Sequence, residues 1–213
     1  MPKSQYQSEK REKEYSLSRS NDATTMIAAI FKNVLLSEED LELLASKLER
    51  IELKKGSNLL KEGDKVNDQY YVVSGCLRTF FIDDSGKEHT VQFAIHDWWI
   101  SDYTAFFADG IAILNIETIQ DSLLFRMSKT DMDLLLQQIP ALETFFRKKM
   151  EGAFAGFQKR ILANLSQSAS ERYSHFIESY PNIEQQVKNY HIASYLGITT
   201  ESLSRIRKEL FEN

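Results

Sequence analysis

The sequence has little cysteine, proline or glycine. One cysteine, Cys76, stands among 213 residues, so the chain cannot form an internal disulfide or build a zinc or iron–sulfur site from cysteines. Three prolines and eight glycines exclude collagen-like and proline-rich linker architectures. These absences indicate a globular protein of a reducing compartment, and we expect it in the cytoplasm.

Long hydrophobic runs are also missing. No apolar stretch approaches the roughly 18–20 residues that span a bilayer. The first twenty residues carry charges with no apolar core behind them, so no secretory signal peptide and no membrane partner are predicted. The composition, 42% hydrophobic and 27% charged, is that of one large domain or two small ones.

The net charge of −5 gives no overall preference for nucleic acid. Residues 23–140 carry 11 Lys and Arg against 19 Asp and Glu, and residues 141–168 carry 5 against 2. Residues 169–213 carry 5 against 6 and are nearly neutral. Any contact with DNA must therefore come from local geometry, because the acidic body repels phosphate.

The first half of the chain has a β-rich pattern. Residues 1–22 are polar and aperiodic and are expected to be a flexible tail. From Arg50 onward, short β-rich runs about ten residues apart predict an antiparallel sandwich or barrel over residues 23–139, closed by a strand pair within residues 113–128. The turns between the runs are marked by Gly56, Gly63, Gly75 and Gly86.

A long amphipathic helix is predicted over residues 140–168, with Pro140 in its first turn. Its wide apolar stripe is aromatic in the middle. Such a helix either lies on its own sandwich or pairs with its copy in a second chain, and the stripe exceeds six turns, which favours a homodimer. The residues expected at the dimer seam are Phe146, Phe154, Phe157 and Ile161.

The most specific pattern lies in VKNYHIASYLGITTESLSRIRKELF, within a predicted all-α domain over residues 169–213. An apolar helix face with the small Ala193 is followed by Gly197, the apolar Ile198 and a second amphipathic helix. A small residue allows two helices to approach closely, and glycine takes the left-handed turn between them. The pattern predicts a helix-turn-helix.

The second helix of this unit has a polar outer face. Arginine can donate twice to guanine, glutamate can accept from cytosine, and hydroxyls reach bases or phosphates. The alternative is a helical hairpin with a solvated polar face. The residues predicted to contact DNA are Thr199, Thr200, Glu201, Ser204, Arg205 and Lys208.

The chain resembles the Crp/Fnr transcriptional regulators over residues 25–213. The resemblance is carried by KKGSNLLKEGD, YYVVSGCLR and DDSGKEH, and most specifically by ITTESLSRIRK with its Glu-x-x-Ser-Arg pattern. It implies an α+β fold: a jelly roll of the cyclic-nucleotide-binding type, a long dimerisation helix and a helix-turn-helix. It also implies a homodimer on palindromic double-stranded DNA, with base-reading roles for Glu201 and Arg205, and RNA polymerase as a further partner.

Two departures from the family alter this expectation. Where the family places a Gly-Glu pair for the ribose, this chain reads HDWWISDYTAF, with Ser101 or Asp102 at the glutamate position. No arginine lies between Arg78 and Arg126, so a buried cyclic phosphate would lack its guanidinium. We therefore expect no control by cyclic AMP. The sequence ends at Asn213, so no wing is expected after the second helix, and phosphate contacts are expected from the basic connecting helix or from Arg207 and Lys208.

Residues near the expected ligand pocket allow two interpretations. The aromatic cluster is either packed core or an apolar site for an unidentified small-molecule effector. Arg78 is expected on the strand surface, with an anion anchor as the alternative, and His89 and His96 are weak candidates for haem. The candidate ligand residues are Arg78, Trp98, Asp102 and Tyr103.

No catalytic motif, metal spacing or cofactor loop appears in the sequence, so no enzyme activity, metal or cofactor is predicted. The alternative function is a small-ligand module of the cyclic-nucleotide-binding type. In that case the helix-turn-helix would be vestigial and would serve protein interaction.

Overall fold

The computed structural model describes residues 23–211, and the predicted N-terminal tail lies outside them. The helices are α1 (residues 23–30), α2 (Glu38–Lys47), α3 (Tyr103–Phe106), α4 (Lys129–Gln138), α5 (Ala141–Ser166), α6 (Ala169–Ser179), α7 (Asn189–Leu196) and α8 (Thr200–Phe211). The strands are β1 (Glu49–Leu53), β2 (Asn58–Leu60), β3 (Asp68–Ser74), β4 (Leu77–Ile82), β5 (Glu88–Ala94), β6 (Trp99–Ile100), β7 (Asn115–Thr118) and β8 (Ser122–Ser128).

The strands form an antiparallel sandwich of two four-stranded sheets, ordered β1-β8-β3-β6 and β2-β7-β4-β5. Side chains from both sheets fill its interior, including the fully buried Val72, Leu77 and Leu124. Gly75 turns β3 into β4 at φ 96°, and a Cβ there would lie 2.6 Å from the Asp121 carbonyl oxygen, so only glycine fits. The predicted jelly-roll architecture is confirmed.

The expectation that residues 113–128 form two strands that pair with each other is wrong. β7 and β8 lie in opposite sheets, β7 between β2 and β4 and β8 between β1 and β3. The segment joining them crosses the sandwich, and the amides of Ile119 and Gln120 donate to the Cys76 carbonyl on the way. Two consecutive strand patterns in a sequence do not reveal whether the strands pair with each other.

Helices cover the outer face of the β1-β8-β3-β6 sheet. Ser37 caps the start of α2, because the Ser37 hydroxyl accepts from the Asp40 amide at 3.1 Å and the Asp40 carboxylate accepts from the Ser37 amide at 2.9 Å. The first turns of α5 enter the same core. Phe146 was expected at a dimer seam, but it is 4% exposed and packs against Phe31 and Trp99 of its own chain.

The C-terminal helices pack on the other sheet, through β5. Phe93 is fully buried among aromatic rings of α6, α7 and the residue after α6, namely Phe176, Tyr195 and Tyr180. The Ser194 hydroxyl accepts from the Thr90 amide at 2.8 Å and donates to the Glu88 carbonyl at 3.0 Å. The core of the helix-turn-helix is therefore continuous with one face of the sandwich.

Residues 23–211 include no helix that combines the length and the apolar character needed to cross a membrane.

Candidate nucleic-acid interface

The turn between α7 and α8 is built as the sequence predicted. Gly197 ends α7 in the left-handed conformation, with φ 68°, and the Ile198 amide donates to the Ala193 carbonyl at 3.0 Å. Thr199 then caps α8, because its hydroxyl accepts from the Ser202 amide at 3.2 Å. These contacts fix the direction in which α8 leaves the turn.

The inner face of α8 packs on α6 and α7 through Leu203 and Ile206, which are both buried. Leu210, in the last turn of α8, is 41% exposed.

Arg207 was expected to contact phosphate, but its side chain is held by contacts within the chain. Its guanidinium pairs with Glu184 at 2.8 Å, donates to the Asn189 side chain at 2.7 Å and donates to the Tyr173 hydroxyl at 3.1 Å. Arg207 therefore ties α8 to the rest of the C-terminal helices.

The outer face of α8 carries the side chains predicted to contact DNA. Glu201, Ser204, Arg205 and Lys208 are exposed, and Thr200 is half-buried. Spacings of three and four residues place the four exposed side chains on one side of the helix. The Arg205 side chain is 73% exposed and lies 4.0 Å from the Glu209 carboxylate, a distance at which it remains available to another partner.

Glu201 lies in the first turn of α8 and is held ionised. Its own backbone amide, followed by the hydroxyls of Thr199 and Thr200, lowers the pKa of its carboxyl. The Thr200 hydroxyl donates to the carboxylate at 3.1 Å. At neutral pH the group therefore only accepts hydrogen bonds, which matches an exocyclic amine of cytosine or adenine.

Asp102 does not face a ligand, contrary to its candidate role. Its side chain is fully buried and bonds the backbone of its own loop. One oxygen accepts from the Thr104 amide at 3.2 Å, and the other accepts from the amides of Ile113 and Leu114 at 2.9 and 3.1 Å. The carboxylate holds α3 against the segment before β7, so it is not free to bind a ribose.

Arg78 was expected at the surface and is 2% exposed. Its guanidinium pairs with both Glu88 and Glu117 and lies 3.9 Å from the centre of the Phe80 ring. Burial, and then the charge of Arg78, lower the pKa of the nearby His191 to about 4. The two carboxylates occupy the guanidinium, which leaves it poorly suited to anchor an anion.

The other two candidate ligand residues, Trp98 and Tyr103, line one cavity. It lies between the sandwich, α5 and the C-terminal helices and has a volume of about 410 Å³. Its wall also includes Arg160, Tyr180 and Tyr195. These three residues lie far along the sequence from Trp98 and Tyr103, so no local sequence pattern could have predicted that they share a cavity.

Three residues of the predicted dimer seam lie together on α5. Phe154, Phe157 and Ile161 are 65%, 41% and 60% exposed, and spacings of three and four residues place them on one face. Among residues 23–211, no cluster of three or more His, Cys, Asp or Glu side chains is arranged to hold a metal ion.

Comparisons with known proteins agree with this architecture. The family model of the cyclic nucleotide-binding domain matches residues 50–139. The chain is 26% identical over 187 residues to the fumarate and nitrate reduction regulatory protein of Yersinia pestis, covering 80% of this chain and 72% of that protein. The chain is similar to regulators of the Crp/Fnr family.

Two solved structures share the fold. FixK2 from Bradyrhizobium japonicum superimposes with a TM-score of 0.66 at 16% identity, covering 78% of this chain and 85% of that one. A regulator assigned to the Crp/Fnr family from Eubacterium rectale gives a TM-score of 0.63 at 20% identity, covering 83% and 85%. The protein is a transcription regulator with a domain of the cyclic-nucleotide-binding type.

Proposed function

We propose that the protein is a homodimeric, sequence-specific DNA-binding regulator in which α8 enters the major groove. The single observation that carries this proposal is the division of α8 into a buried face with Leu203 and Ile206 and an exposed face with Glu201, Ser204 and Arg205. Twelve residues of helix extend about 18 Å, enough to present several side chains to a groove.

In this proposal each side chain of the outer face has a role. Arg205 donates to guanine, ionised Glu201 accepts from a base amine, and Ser204 with Lys208 contacts nearby base edges or phosphates. Thr199 and Thr200 act at the start of the helix, where Thr199 holds the first turn and Thr200 orients Glu201.

The proposed dimer forms through Phe154, Phe157 and Ile161 of α5. Two copies of this exposed apolar face would cover each other along several turns and direct both α8 helices to one side. A twofold dimer reads a palindrome with half-sites about 34 Å apart. RNA polymerase and a small-molecule effector are proposed as the regulator's further partners.

We also propose that cyclic AMP does not control this regulator. Asp102 and Arg78, two of the candidate ligand residues, are occupied by intramolecular contacts. Calorimetry with cyclic AMP and cyclic GMP tests this, and micromolar binding of either would contradict it.

Selection from a random duplex library at about 0.15 M salt tests the DNA-binding role. Enrichment of a palindrome with half-sites one helical turn apart is expected from the full chain. A variant with Glu201→Ala and Arg205→Ala together provides the control and should enrich nothing. A wild-type dimer that enriches no sequence would contradict the proposal and favour a ligand-binding module whose C-terminal helices serve another role.

A further inference from the structure

The cavity beside α5 lies where the sandwich, α5 and the C-terminal helices meet. β5 and the segment around Trp98 and Trp99 form one wall, α5 forms the second, and Tyr180 with Tyr195 closes it from the C-terminal helices. Its volume of about 410 Å³ lies within the range of sites that hold small organic ligands.

The walls are aromatic. The Trp98 and Tyr180 rings lie 5.4 Å apart between centroids, and Tyr103 lies 5.5 Å from Phe107 in a stacked pair. Flat rings of this kind provide large apolar contact with a planar guest and lose little side-chain entropy on binding. An aromatic ligand fits such walls better than a flexible or strongly hydrated one.

The charged residues that line the cavity are all cationic. Three cationic residues line it, Lys148, Lys149 and Arg160, while none of the described lining residues is Asp or Glu. Lys149 is paired with Asp97 at 3.1 Å, and Lys148 is exposed. The cavity therefore favours an anion over a neutral or cationic guest.

Arg160 adds a positive charge to the cavity, but its guanidinium already donates to carbonyl groups of the chain. Its guanidinium donates to the carbonyls of Thr90, Val91 and Tyr195 and lies 3.9 Å from the centre of the Tyr195 ring. Phosphate is recognised best by a bidentate guanidinium, which is occupied here. A ligand with a single carboxylate, bound by a flexible lysine, therefore fits the cavity better than a phosphate does.

Two glycines of α5 leave the cavity open. Gly152 and Gly156 line it, and a Cβ at either would meet nothing within 4 Å. Each glycine costs a helix interior about 1 kcal/mol relative to alanine, and close packing within the chain does not account for them. Turning 100° per residue, the glycines point well away from Phe154 and Ile161, while Phe157 lies between the two faces and borders both the proposed seam and the cavity.

We propose that this cavity binds an aromatic carboxylate of one or two fused rings. The ring lies between the aromatic walls and the glycines of α5, and the carboxylate meets Lys148 at the mouth. Because Tyr180 and Tyr195 belong to the C-terminal helices, bound ligand holds those helices against the sandwich. This last consequence rests on the proposed DNA-binding function, whereas the binding itself does not.

The test measures binding without DNA. Calorimetry on the full chain uses 1-naphthoate, its neutral isostere 1-naphthamide, and cyclic AMP. We expect saturable binding of 1-naphthoate at one site per subunit, with 1-naphthamide weaker and cyclic AMP weaker still. The chain has two tryptophans and both line the cavity, so both indole N–H signals in an NMR spectrum should shift on titration.

Two variants, each with a matched control, place the ligand. Lys148→Met should weaken 1-naphthoate about threefold to fivefold without affecting 1-naphthamide, while Arg147→Met, on the neighbouring exposed residue, should change neither. Gly156→Leu fills the cavity and should weaken 1-naphthoate more than tenfold with no fall in melting temperature. Gly152→Ala should raise the melting temperature and keep binding within about twofold.

Three results would overturn the proposal: no binding of 1-naphthoate up to millimolar concentration, undiminished binding by the Gly156→Leu variant, or tighter binding of cyclic AMP. Each can occur whether or not the duplex selection yields a palindrome, so failure of this proposal is distinguishable from failure of the DNA-binding one.

Discussion

Arginine side chains in this chain differ in role according to their surroundings. Arg78 lies buried between two glutamates, Arg207 ties three C-terminal segments together, and Arg205 projects from the outer face of α8. The residue type alone predicts an affinity for carboxylates, phosphates and guanine in all three cases. Only the partners that the fold places around each guanidinium separate a structural role from a recognition role.

Arg205 and Lys208 are predicted to act differently on DNA. Arg205→Ala should cost roughly 1–3 kcal/mol of specific binding and relax discrimination at one base pair, because it removes a base contact. Lys208→Ala should weaken all sequences alike and reduce the salt slope. Titrations of the selected palindrome and of random duplex at several salt concentrations measure both. Equal losses on the two duplexes for Arg205→Ala would argue against base reading.

Arg207→Ala is predicted to destabilise the fold of the C-terminal helices. The substitution leaves the half-buried Glu184 without its cation and removes three side-chain contacts, so a loss of about 1–3 kcal/mol is expected. Chemical denaturation measures it, with Arg205→Ala as the exposed control expected within about 0.5 kcal/mol of wild type. An unchanged midpoint for Arg207→Ala would contradict the bridging role.

At the scale of elements, the apolar stripe of α5 is buried in its first turns and exposed in its later turns, where the sequence suggested a single wide stripe. Its first turns bury Leu142 and Phe146 in their own chain, and its later turns expose Phe154 and Ile161. Intrachain packing therefore accounts for the first turns, and the seam is proposed for the later turns alone. Periodicity located the apolar positions but could not say where the sandwich stops covering the helix.

The exposed apolar face of α5 is predicted to form the dimer interface. Phe154→Ser combined with Ile161→Ser should weaken self-association at least a hundredfold, because each large apolar side chain contributes about 1.5–3 kcal/mol when covered. Sedimentation equilibrium measures the dissociation constant. Leu162→Ser is a matched control, since Leu162 is equally exposed but points about 100° away from Ile161. An unchanged dimer in the double variant would exclude this seam.

At the scale of the whole molecule, the sequence predicted the β block, the long helix and the helix-turn-helix. Local signals carried these predictions: glycine turns, Pro140 at the start of the long helix, and the left-handed Gly197. What it missed depends on contacts between distant segments. The packing of Phe93 on the C-terminal helices, the saturation of Arg78 and the cavity all join residues far apart in the chain.

Phe93→Ala is predicted to loosen the C-terminal helices selectively. Removing a fully buried ring from the shared core should cost about 3–5 kcal/mol. Amide hydrogen exchange should show a larger loss of protection in α6, α7 and α8 than in β3 and β8. Phe106→Ala, inside the sandwich, is the control and should lower protection in the strands. Equal loss across both regions for Phe93→Ala would show that the core behaves as one cooperative unit.

The contacts that α7 makes with β5 have a consequence for solubility. β5 is the outermost strand of its sheet, so its free amide and carbonyl groups would form a template for another strand. Ser194 and Arg160 occupy the backbone groups of Glu88, Thr90 and Val91, and the C-terminal helices cover Phe93. α5 and the C-terminal helices therefore shield an aggregation-prone edge, and the jelly roll without them would expose both an open strand and an aromatic surface.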